Sequence, residues 1–308
     1  MKTSDKIAVV IPAYNCDNLH RTLSSIVLQK DPDINVYVVD DASPKDISGV
    51  VSEFEDSLGI RYRRFDENLG RQSMTRHLRR CLEAVGDEPW VCIFSDDNEF
   101  SKGSFAGLRR CMAHYPSFDV YHWNIQIIDV NSSVVTTPKK IGLKSSCASL
   151  FRDVFYREAH CPLSSFVFRT SVLRSRFVVD DEAFRMDLAT VMNCAKENGI
   201  RTVRWKKVLW REQAVGSPEV AAMKELYIRS TVRFLLWSEK FFEEKYPVGS
   251  SDRLALYAEV LASLYPGYTP EDLKEMMGRF AAAQGALRKM KAQSLLKKEI
   301  AKRKEALQ

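Results

Sequence analysis

The chain lacks any long uninterrupted apolar segment. We find no run close to the roughly 20 apolar residues that a membrane-spanning helix needs, and no apolar segment near Met1 that would serve as a signal peptide. These absences predict a cytoplasmic protein. The sequon Asn131-Ser132-Ser133 would then stay unmodified, because a cytoplasmic chain does not meet the glycosylation machinery.

Paired cysteines are also missing. The sequence has 7 cysteines, an odd number, and no two of them are spaced as Cys-x-x-Cys. This argues against a disulfide framework and against a zinc site. Most of the cysteines are expected to be small core residues.

The most informative feature that is present is an apolar run that ends on two acids. Trp90-Val91-Cys92-Ile93-Phe94 leads directly into Ser95-Asp96-Asp97-Asn98, and no Lys or Arg adjoins the acids. Two neighbouring carboxylates at the end of a buried strand favour a divalent cation as partner. The alternative is a turn in which Asp and Asn bond their own backbone.

Two earlier segments repeat this arrangement. Ile7-Ala8-Val9-Val10-Ile11 is a β-branched run interrupted by Pro12-Ala13-Tyr14-Asn15, and Val36-Tyr37-Val38-Val39 ends on Asp40-Asp41. Runs of this kind are typical of parallel strands covered on both faces. Ligands of open parallel sheets bind at the carboxyl ends of the strands. We therefore expect these acids to lie on one rim of an α/β sheet.

At this point the sequence resembles the family 2 glycosyltransferases of GT-A fold, and within them most closely the spore-coat type, which has a similar Thr-Asp-Asp-Asn tetrad. The resemblance implies an inverting enzyme with a Rossmann-like, mostly parallel central sheet flanked by helices. It rests on the order of four motifs over about the first 115 residues. These are Val10-Ile11-Pro12-Ala13-Tyr14-Asn15, Val38-Val39-Asp40-Asp41-Ala42-Ser43, Glu67-Asn68-Leu69-Gly70-Arg71 with Arg76 following, and Phe94-Ser95-Asp96-Asp97-Asn98.

The resemblance also assigns donor-binding residues. Pro12 and Tyr14 correspond to the wall against which a nucleobase rests, and Asp41 to the acid that accepts a hydrogen bond from the base edge. Arg71 and Arg76 match positions near the base and the phosphates. For Asp40, function and a turn-forming role remain equally open, and Arg79 and Arg80 are expected at solvated helix positions.

The resemblance to this family also implies a metal cofactor. Negative charge grows on the diphosphate leaving group, and a divalent cation bridging its two phosphates stabilises that charge. By resemblance Asp97 is the metal ligand, and Asp96 faces the ribose or the sugar. Many relatives carry one more acid where this chain has Phe94. A site made mostly of phosphate and water suits Mg²⁺ or Mn²⁺.

An inverting transfer needs a carboxylate base opposite the leaving group. The resemblance favours Asp187 over the cluster Asp180-Asp181-Glu182, although Met186 replaces a Glu found in many relatives. The alternative for Asp187 is an N-cap that stabilises a helix by about 1 kcal/mol. Arg211 falls in a segment that often closes over the diphosphate and could contact phosphate. His160 is expected to be a hydrogen-bonded structural residue.

The predicted domains are a GT-A domain at 1–215 and a helical extension at 216–308. Within the first we expect a nucleotide-sugar half at 1–115 and an acceptor half at 116–215. The periodicity predicts an extended segment at 120–128. The predicted helices are at about 46–58, 72–85, 187–198, 219–245, 251–264 and 270–305.

The formal net charge of +6 is concentrated at the C-terminal end. From residue 288 onward there are eight Lys or Arg against two Glu, together with a partial apolar stripe. A basic amphipathic helix at 286–308 could lie on an anionic membrane surface. A solvated helix or an oligomer contact is the alternative. Nucleic-acid binding is not expected, because the basic residues lack interleaved aromatics.

Two functions of different class remain at this stage. The first is a glycosyltransferase that moves a sugar from a nucleotide-sugar donor, by default a UDP-sugar, to a hydroxyl of a saccharide or lipid-linked saccharide during surface polysaccharide synthesis. The second is a catalytically inactive module that keeps the fold and binds nucleotide. A nucleotidyltransferase is disfavoured, because Pro12-Ala13-Tyr14-Asn15 does not supply a Gly-rich phosphate loop.

Overall fold

A computed structural model describes residues 6–156, 159–180, 185–211, 224–245, 250–264, 268–282 and 286–307. The chain divides into two units by its internal contacts. The first comprises 1–154, 158–181 and 190–213, and the second comprises 155–157, 182–189 and 214–308. The predicted boundaries at 115 and 215 stay predictions.

Four parallel strands form one half of the sheet, in the order β3-β2-β1-β4. They are β1 (Ile7–Ala13), β2 (Ile34–Asp40), β3 (Arg61–Arg64) and β4 (Trp90–Ile93). β1 lies between β2 and β4, and the side chains of its apolar run are fully buried. β-Branched residues suit this position because they pack well on a pleated surface that is covered on both faces.

The other half of the sheet mixes both strand directions. β9 is antiparallel to β4 and to β6, β10 is parallel to β6, and β5 is antiparallel to β10. The short β7 and β8 pair with β6 and β10. These strands are β5 (Glu99–Phe100), β6 (Val120–Ile128), β7 (Val134–Thr136), β8 (Lys144–Ser145), β9 (Phe166–Arg169) and β10 (Ile200–Arg211).

Helices connect the strands. Those before β10 are α1 (Leu19–Val27), α2 (Ile47–Ser52), α3 (Glu55–Leu58), α4 (Met74–Glu83), α5 (Ser104–His114), α6 (Cys147–Tyr156), α7 (Thr170–Arg176) and α8 (Met186–Ala195). Alternate residues of β1, β2 and β4 share one hydrophobic core with α1, α2 and α5. The predicted α/β class is therefore confirmed.

Several details differ from the predictions. The helix expected at 46–58 is two short helices, because the chain breaks at Phe54 and ends in a left-handed Gly59. β3 was not predicted, since its Arg-Tyr-Arg-Arg sequence is mostly exposed at a sheet edge and shows no apolar alternation. β10 was also missed, because polar and charged residues interrupt its apolar pattern.

In the described part of the second unit there are four further helices, α9 (Lys224–Lys245), α10 (Ser250–Ser263), α11 (Pro270–Ala282) and α12 (Ala286–Ala306). The segment expected as one helix at 270–305 is thus α11 and α12, with 283–285 outside the described residues. Residues 219–223 of another predicted helix also lie outside. α12 packs against α10 and α11, and it buries Ala292, Leu296 and Ile300. Among the described residues, none of the helices is both long and apolar enough to span a membrane.

Candidate active site

The carboxyl ends of β1, β2 and β4 border a cavity of about 510 Å³. This arrangement follows from the parallel strands, whose carboxyl ends meet at the same edge of the sheet. Five of the predicted site residues line the cavity together, namely Pro12, Tyr14, Asp41, Arg71 and Asp96. The others that line it are Ala13, Asn68, Gly70, Met74, His77, Leu78, Ile93, Ser95, Pro162, Leu163 and Ser164.

Asp96 follows β4 and reaches back to the end of β1. Its Oδ2 atom accepts hydrogen bonds from the backbone N–H groups of Tyr14 and Asn15, each at 3.1 Å. Burial, opposed by these N–H groups and assisted by the charge of Asp97, raises the pKa of Asp96 to about 6. Ionising both acids is therefore costly, and a hard divalent cation beside them would offset that cost. The pair fits such a cation in ligand type.

Asp96→Asn should change the stability of the protein in a pH-dependent way. An acid whose folded pKa is raised stabilises the fold while protonated, and this contribution is lost as the pH rises through about 6. The variant should therefore gain stability relative to the parent protein at pH 7.5 but not at pH 4. Urea unfolding at the two pH values measures the difference.

A control variant, Asp56→Asn, removes one negative charge from an exposed position on α3. This variant measures how the loss of one negative charge at an exposed position changes the pH dependence of stability. An equal pH dependence in both variants would contradict the assignment to Asp96.

Within the described residues, we find no cluster of three or more His, Cys, Asp or Glu side chains that could hold a metal ion. Metal binding by Asp97 stays a prediction.

Arg211 holds the segment that carries Asp97. Arg211 is only 3% exposed. Its Nε atom donates a hydrogen bond to the backbone carbonyl of Asp97 at 3.0 Å. The guanidinium also donates to the Glu99 carboxylate at 2.6 Å, to Ser132 Oγ at 3.0 Å and to the carbonyl of Asp129. These bonds engage four of the five N–H donors of the side chain. A phosphate contact of Arg211 stays a prediction, since its guanidinium is largely engaged within the protein.

Asp41 lies at the wall of the cavity and is 3% exposed. Its Oδ1 atom accepts from the backbone N–H of Leu69 at 3.0 Å and pairs with Arg80, and Oδ2 accepts from the N–H of Gly70 at 2.8 Å. His77 Nδ1 lies 3.2 Å from Oδ1. Among the described contacts Oδ2 accepts one hydrogen bond, so it can accept a second donor. The predicted bond to a nucleobase remains a prediction that this geometry allows.

Gly70 is required by this contact. A Cβ atom at this position would lie 2.7 Å from Asp41 Oδ2. That separation is too short for a carbon and an oxygen that are not bonded. The loop at residues 68–70 can therefore approach the carboxylate only because the side chain is missing.

The expectation that Arg80 is a solvated helix residue was wrong. Its guanidinium pairs with the buried Asp41, lies 3.8 Å from the ring centre of Phe65, and donates to the carbonyl of Glu67 at 2.9 Å. Helical spacing alone could not identify this role, because Asp41 and Arg80 are 39 positions apart. Arg79, the neighbouring residue, is partly exposed.

Arg80→Met should lower the free energy of unfolding by about 1–3 kcal/mol, because it leaves the Asp41 carboxylate buried with fewer donors. Arg79→Met is the matched control and should change stability by about 0.5 kcal/mol or less. Urea unfolding of both variants checks the prediction. Equal losses would mean that the Asp41 contact contributes nothing specific.

Asp40 is structural. It is fully buried and accepts hydrogen bonds from Tyr62 Oη at 2.7 Å, from the Arg64 guanidinium at 2.5 Å and from the N–H of Ser43 at 2.8 Å. These contacts join β2 to the edge strand β3. Of the two acids that end β2, Asp41 alone lines the cavity.

The two predicted arginines differ in position. Arg71 is exposed and lines the cavity, and its backbone N–H donates to Asn68 Oδ1 at 2.8 Å. Arg76 is also exposed, and its N–H donates to Ser73 Oγ, the side chain that caps α4. Of the two, only Arg71 belongs to the cavity lining.

Asp187 lies in the first turn of α8 and belongs to the second unit. Its Oδ1 atom accepts a hydrogen bond from the N–H of Leu188 at 2.8 Å. Burial raises the pKa of Asp187, although this bond and the charge of Arg185 act against the shift. Its role as base and its place at the cavity stay predictions. Of the alternative cluster, Asp181 and Glu182 lie outside the described residues.

Sequence reasoning missed the contribution of residues 162–164 to the cavity. Asn98 Nδ2 donates to Ser164 Oγ at 2.9 Å and so joins the acidic tetrad to this segment. A sequence feature that could have indicated this contribution is Cys161-Pro162, where a proline precedes the apolar run that forms β9. His160, two residues earlier, packs its ring on Trp210 with a centroid distance of 4.4 Å.

The fold is similar to that of solved structures of S. aureus TarS. The chain superimposes on S. aureus TarS 1-349 in complex with UDP-GlcNAc with a TM-score of 0.66 and 15% identity, covering 98% of this chain and 92% of that one. The complex of TarS 1-349 with UDP gives a TM-score of 0.58 at 15% identity, with the same coverage. Against longer S. aureus TarS, the TM-score is 0.64 at 16% identity, and the match covers 98% of this chain and 55% of that one. These likenesses establish the GT-A fold.

No curated protein sequence shows significant similarity to the chain. Residues 8–177, however, match the sequence profile described as Glycosyl transferase family 2. The matched region contains β2, β4, all of β1 except Ile7, and the whole cavity lining. Because it covers more than half of the 308 residues, the chain belongs to glycosyl transferase family 2 and is a glycosyltransferase.

Proposed function

We propose that the protein is an inverting, metal-dependent transferase that moves a sugar from a UDP-sugar to a hydroxyl of a saccharide or lipid-linked saccharide. The observation that carries the proposal is the cavity at the carboxyl ends of β1, β2 and β4, with Asp96 in its lining and Asp97 next to Asp96 along the chain. The likeness to TarS structures that contain UDP-GlcNAc and UDP supports a UDP-linked donor.

The donor would be bound by the shape of the cavity and by a few polar groups in its lining. Pro12 and Tyr14 offer a wall for the base, and Asp41 Oδ2 has capacity to accept a hydrogen bond from its edge. Uracil has an N–H group on its edge that can donate a hydrogen bond to a carboxylate. Arg71 would then contact phosphate, because a guanidinium recognises phosphate oxygens well.

Asp97, with Asp96 beside it, would hold a Mn²⁺ or Mg²⁺ ion. When bound, this ion would neutralise the charge that grows on the diphosphate as the bond to the sugar breaks. Asp96 would keep the rim in place through its bonds to the backbone of Tyr14 and Asn15. Arg211 would hold the backbone of Asp97 through the hydrogen bond from its Nε atom to the Asp97 carbonyl.

Asp187 would act as the general base. Its carboxylate takes the proton of the acceptor hydroxyl while the acceptor oxygen bonds to the sugar C1 atom, and the C1–O bond to the diphosphate breaks on the opposite face. A raised pKa makes this carboxylate a better base near neutral pH. The N–H of Leu188 would fix the orientation of its Oδ1 atom.

The experiment that tests this function is calorimetric titration of the protein with UDP, with and without Mn²⁺, followed by transfer assays with a panel of nucleotide sugars. We expect metal-dependent binding and turnover of at least one sugar. A donor at a hundred times its dissociation constant should stabilise the fold by about 2.7 kcal/mol. Nucleotide binding without hydrolysis or transfer of any donor would favour the inactive binding module.

For location, we propose the cytoplasmic face of a membrane and a role in surface polysaccharide synthesis of the spore-coat type. The outer face of α12 supports this, because Lys291, Lys297 and Lys298 are exposed. Its apolar residues at 292, 296 and 300 are buried, so α12 would attract anionic lipid mainly through its charge. An oligomer contact through 286–308 remains the alternative.

A further inference from the structure

β10 contains a bulge that the proposed reaction does not use. Val203 pairs with Trp123 and Lys207 with Asn124, the next residue of β6, so Arg204, Trp205 and Lys206 are additional to the ladder. We call residues 204–206 the basic bulge. It lies on the strand between the segments that pair with β8 and with β5.

Trp205 is exposed to an extent that is unusual for an indole. Trp205 is 88% exposed. Its φ angle of 63° lies in the left-handed region, which residues with bulky side chains rarely adopt. The exposed ring contributes little to folding, because little of it is buried, and the positive φ angle of this bulky residue is strained.

Positive charge surrounds this ring along the chain. Arg204 is exposed, and the Lys206 ammonium donates to the carbonyl of Lys102 at 2.7 Å. Lys207 follows directly, and burial and the charge of Lys140 lower its pKa. In the part of the chain that the structure describes, Arg204, Lys206 and Lys207 form no ion pair with a carboxylate. The bulge therefore presents uncompensated positive charge around an amphipathic ring.

The shape of the bulge favours one kind of partner. Small ligands and short saccharides bind in concave sites that cover most of their surface, whereas Trp205 protrudes. Indole rings are enriched at membrane–water interfaces, where the ring lies at the level of the headgroups. Basic residues next to such a ring are attracted to anionic lipids.

We propose that the basic bulge is a membrane contact of the catalytic unit, in which Trp205 inserts among the headgroups of an anionic bilayer and Arg204 and Lys206 lie against lipid phosphates. This contact would serve an enzyme whose acceptor is carried by lipid. It differs from the charge of α12, because it includes an apolar anchor and belongs to the first unit. It goes beyond the proposed function, since lipid binding needs neither donor nor turnover.

The test is co-sedimentation of the full chain with phosphatidylglycerol vesicles and with phosphatidylcholine vesicles at low salt. Trp205→Ala should lower the partition coefficient on the anionic vesicles about tenfold, because it removes the inserted ring. Trp205→Gly should lower it equally and also raise the melting temperature, since glycine adopts a positive φ without strain. Higher stability with weaker lipid binding is the signature of a surface retained for contact.

Double variants in which two basic residues are replaced by Glu test the contribution of positive charge to lipid binding. R204E/K206E should reduce binding about fivefold or more for each basic residue lost. R63E/R152E makes the same change in net charge at exposed positions on β3 and α6, and it should bind nearly as the parent protein. A third variant, K297E/K298E, measures the contribution of α12 in the same assay.

Three results would overturn the proposal. The first is lipid binding by Trp205→Ala equal to that of the parent protein. The second is a loss of self-association in Trp205→Ala, measured by sedimentation velocity, with lipid binding unchanged, which would make the bulge a contact between copies of the chain. The third is a raised KM for a water-soluble saccharide acceptor with lipid binding unchanged, which would make it an acceptor surface.

Discussion

Asp97→Ala should abolish the metal-dependent part of UDP binding and lower kcat about a hundredfold or more, because the site loses the carboxylate assigned to hold the cation. The fold should survive this change. Arg211 Nε bonds to the backbone carbonyl of Asp97, and alanine retains that carbonyl. The measurements are calorimetric titration with UDP, with and without Mn²⁺, and turnover of the donor found in the panel.

The matched control for this prediction is Asp56→Ala, an acid removed from an exposed helix position. It should bind UDP and turn over as the parent protein does. Circular dichroism and urea unfolding of both variants separate loss of the site from loss of the fold. Unchanged turnover in Asp97→Ala, with Mn²⁺ present, would remove the metal assignment.

The second large effect is expected for Asp187→Asn. If this residue is the base, transfer should slow by about 10² to 10⁴ fold, while the affinities for UDP and for Mn²⁺ stay unchanged. Asparagine keeps an Oδ1 atom that can accept the hydrogen bond from the N–H of Leu188, so the start of α8 should be preserved. The variant therefore removes basicity with little change in structure.

The pH dependence of transfer provides an independent reading of Asp187. A base must be ionised to act, so kcat/KM should fall as the pH drops through its pKa. Burial raises that pKa above its ordinary value, and the fall should accordingly begin at higher pH than for an exposed aspartate. Asp187→Asn should lose this limb of the profile.

Asp180→Asn is the informative comparison, because Asp180 begins the alternative acidic cluster. It should keep most of the transfer rate. A large loss there with normal rates in Asp187→Asn would move the base to that cluster. Equal loss of UDP binding and of transfer in Asp187→Asn would indicate a structural role.

The sequence alone determined the parts of the site that depend on neighbours along the chain. Apolar β-branched runs predicted β1, β2 and β4, and acids directly after such runs predicted a polar rim, because the carboxyl ends of parallel strands meet at one edge. Asp41 and Asp96 were placed on the rim in this way, and the family resemblance added Pro12. The family was also readable from the order of these motifs, and the match over residues 8–177 confirms it.

Only the tertiary structure decided which polar side chains are committed to one another. Asp96 reaches Tyr14 across 82 positions, and Arg211 reaches Asp97 across 114. Arg80 is an ion-pair partner and not a solvated residue, and of the apolar residues of α12 Leu296 and Ile300 are buried whereas Met290 is exposed. Helical or strand periodicity specifies which face of an element is buried, but the residues it meets there depend on the folding of distant segments. For that reason the rim was predictable from the sequence, whereas the contacts that hold it in place were not.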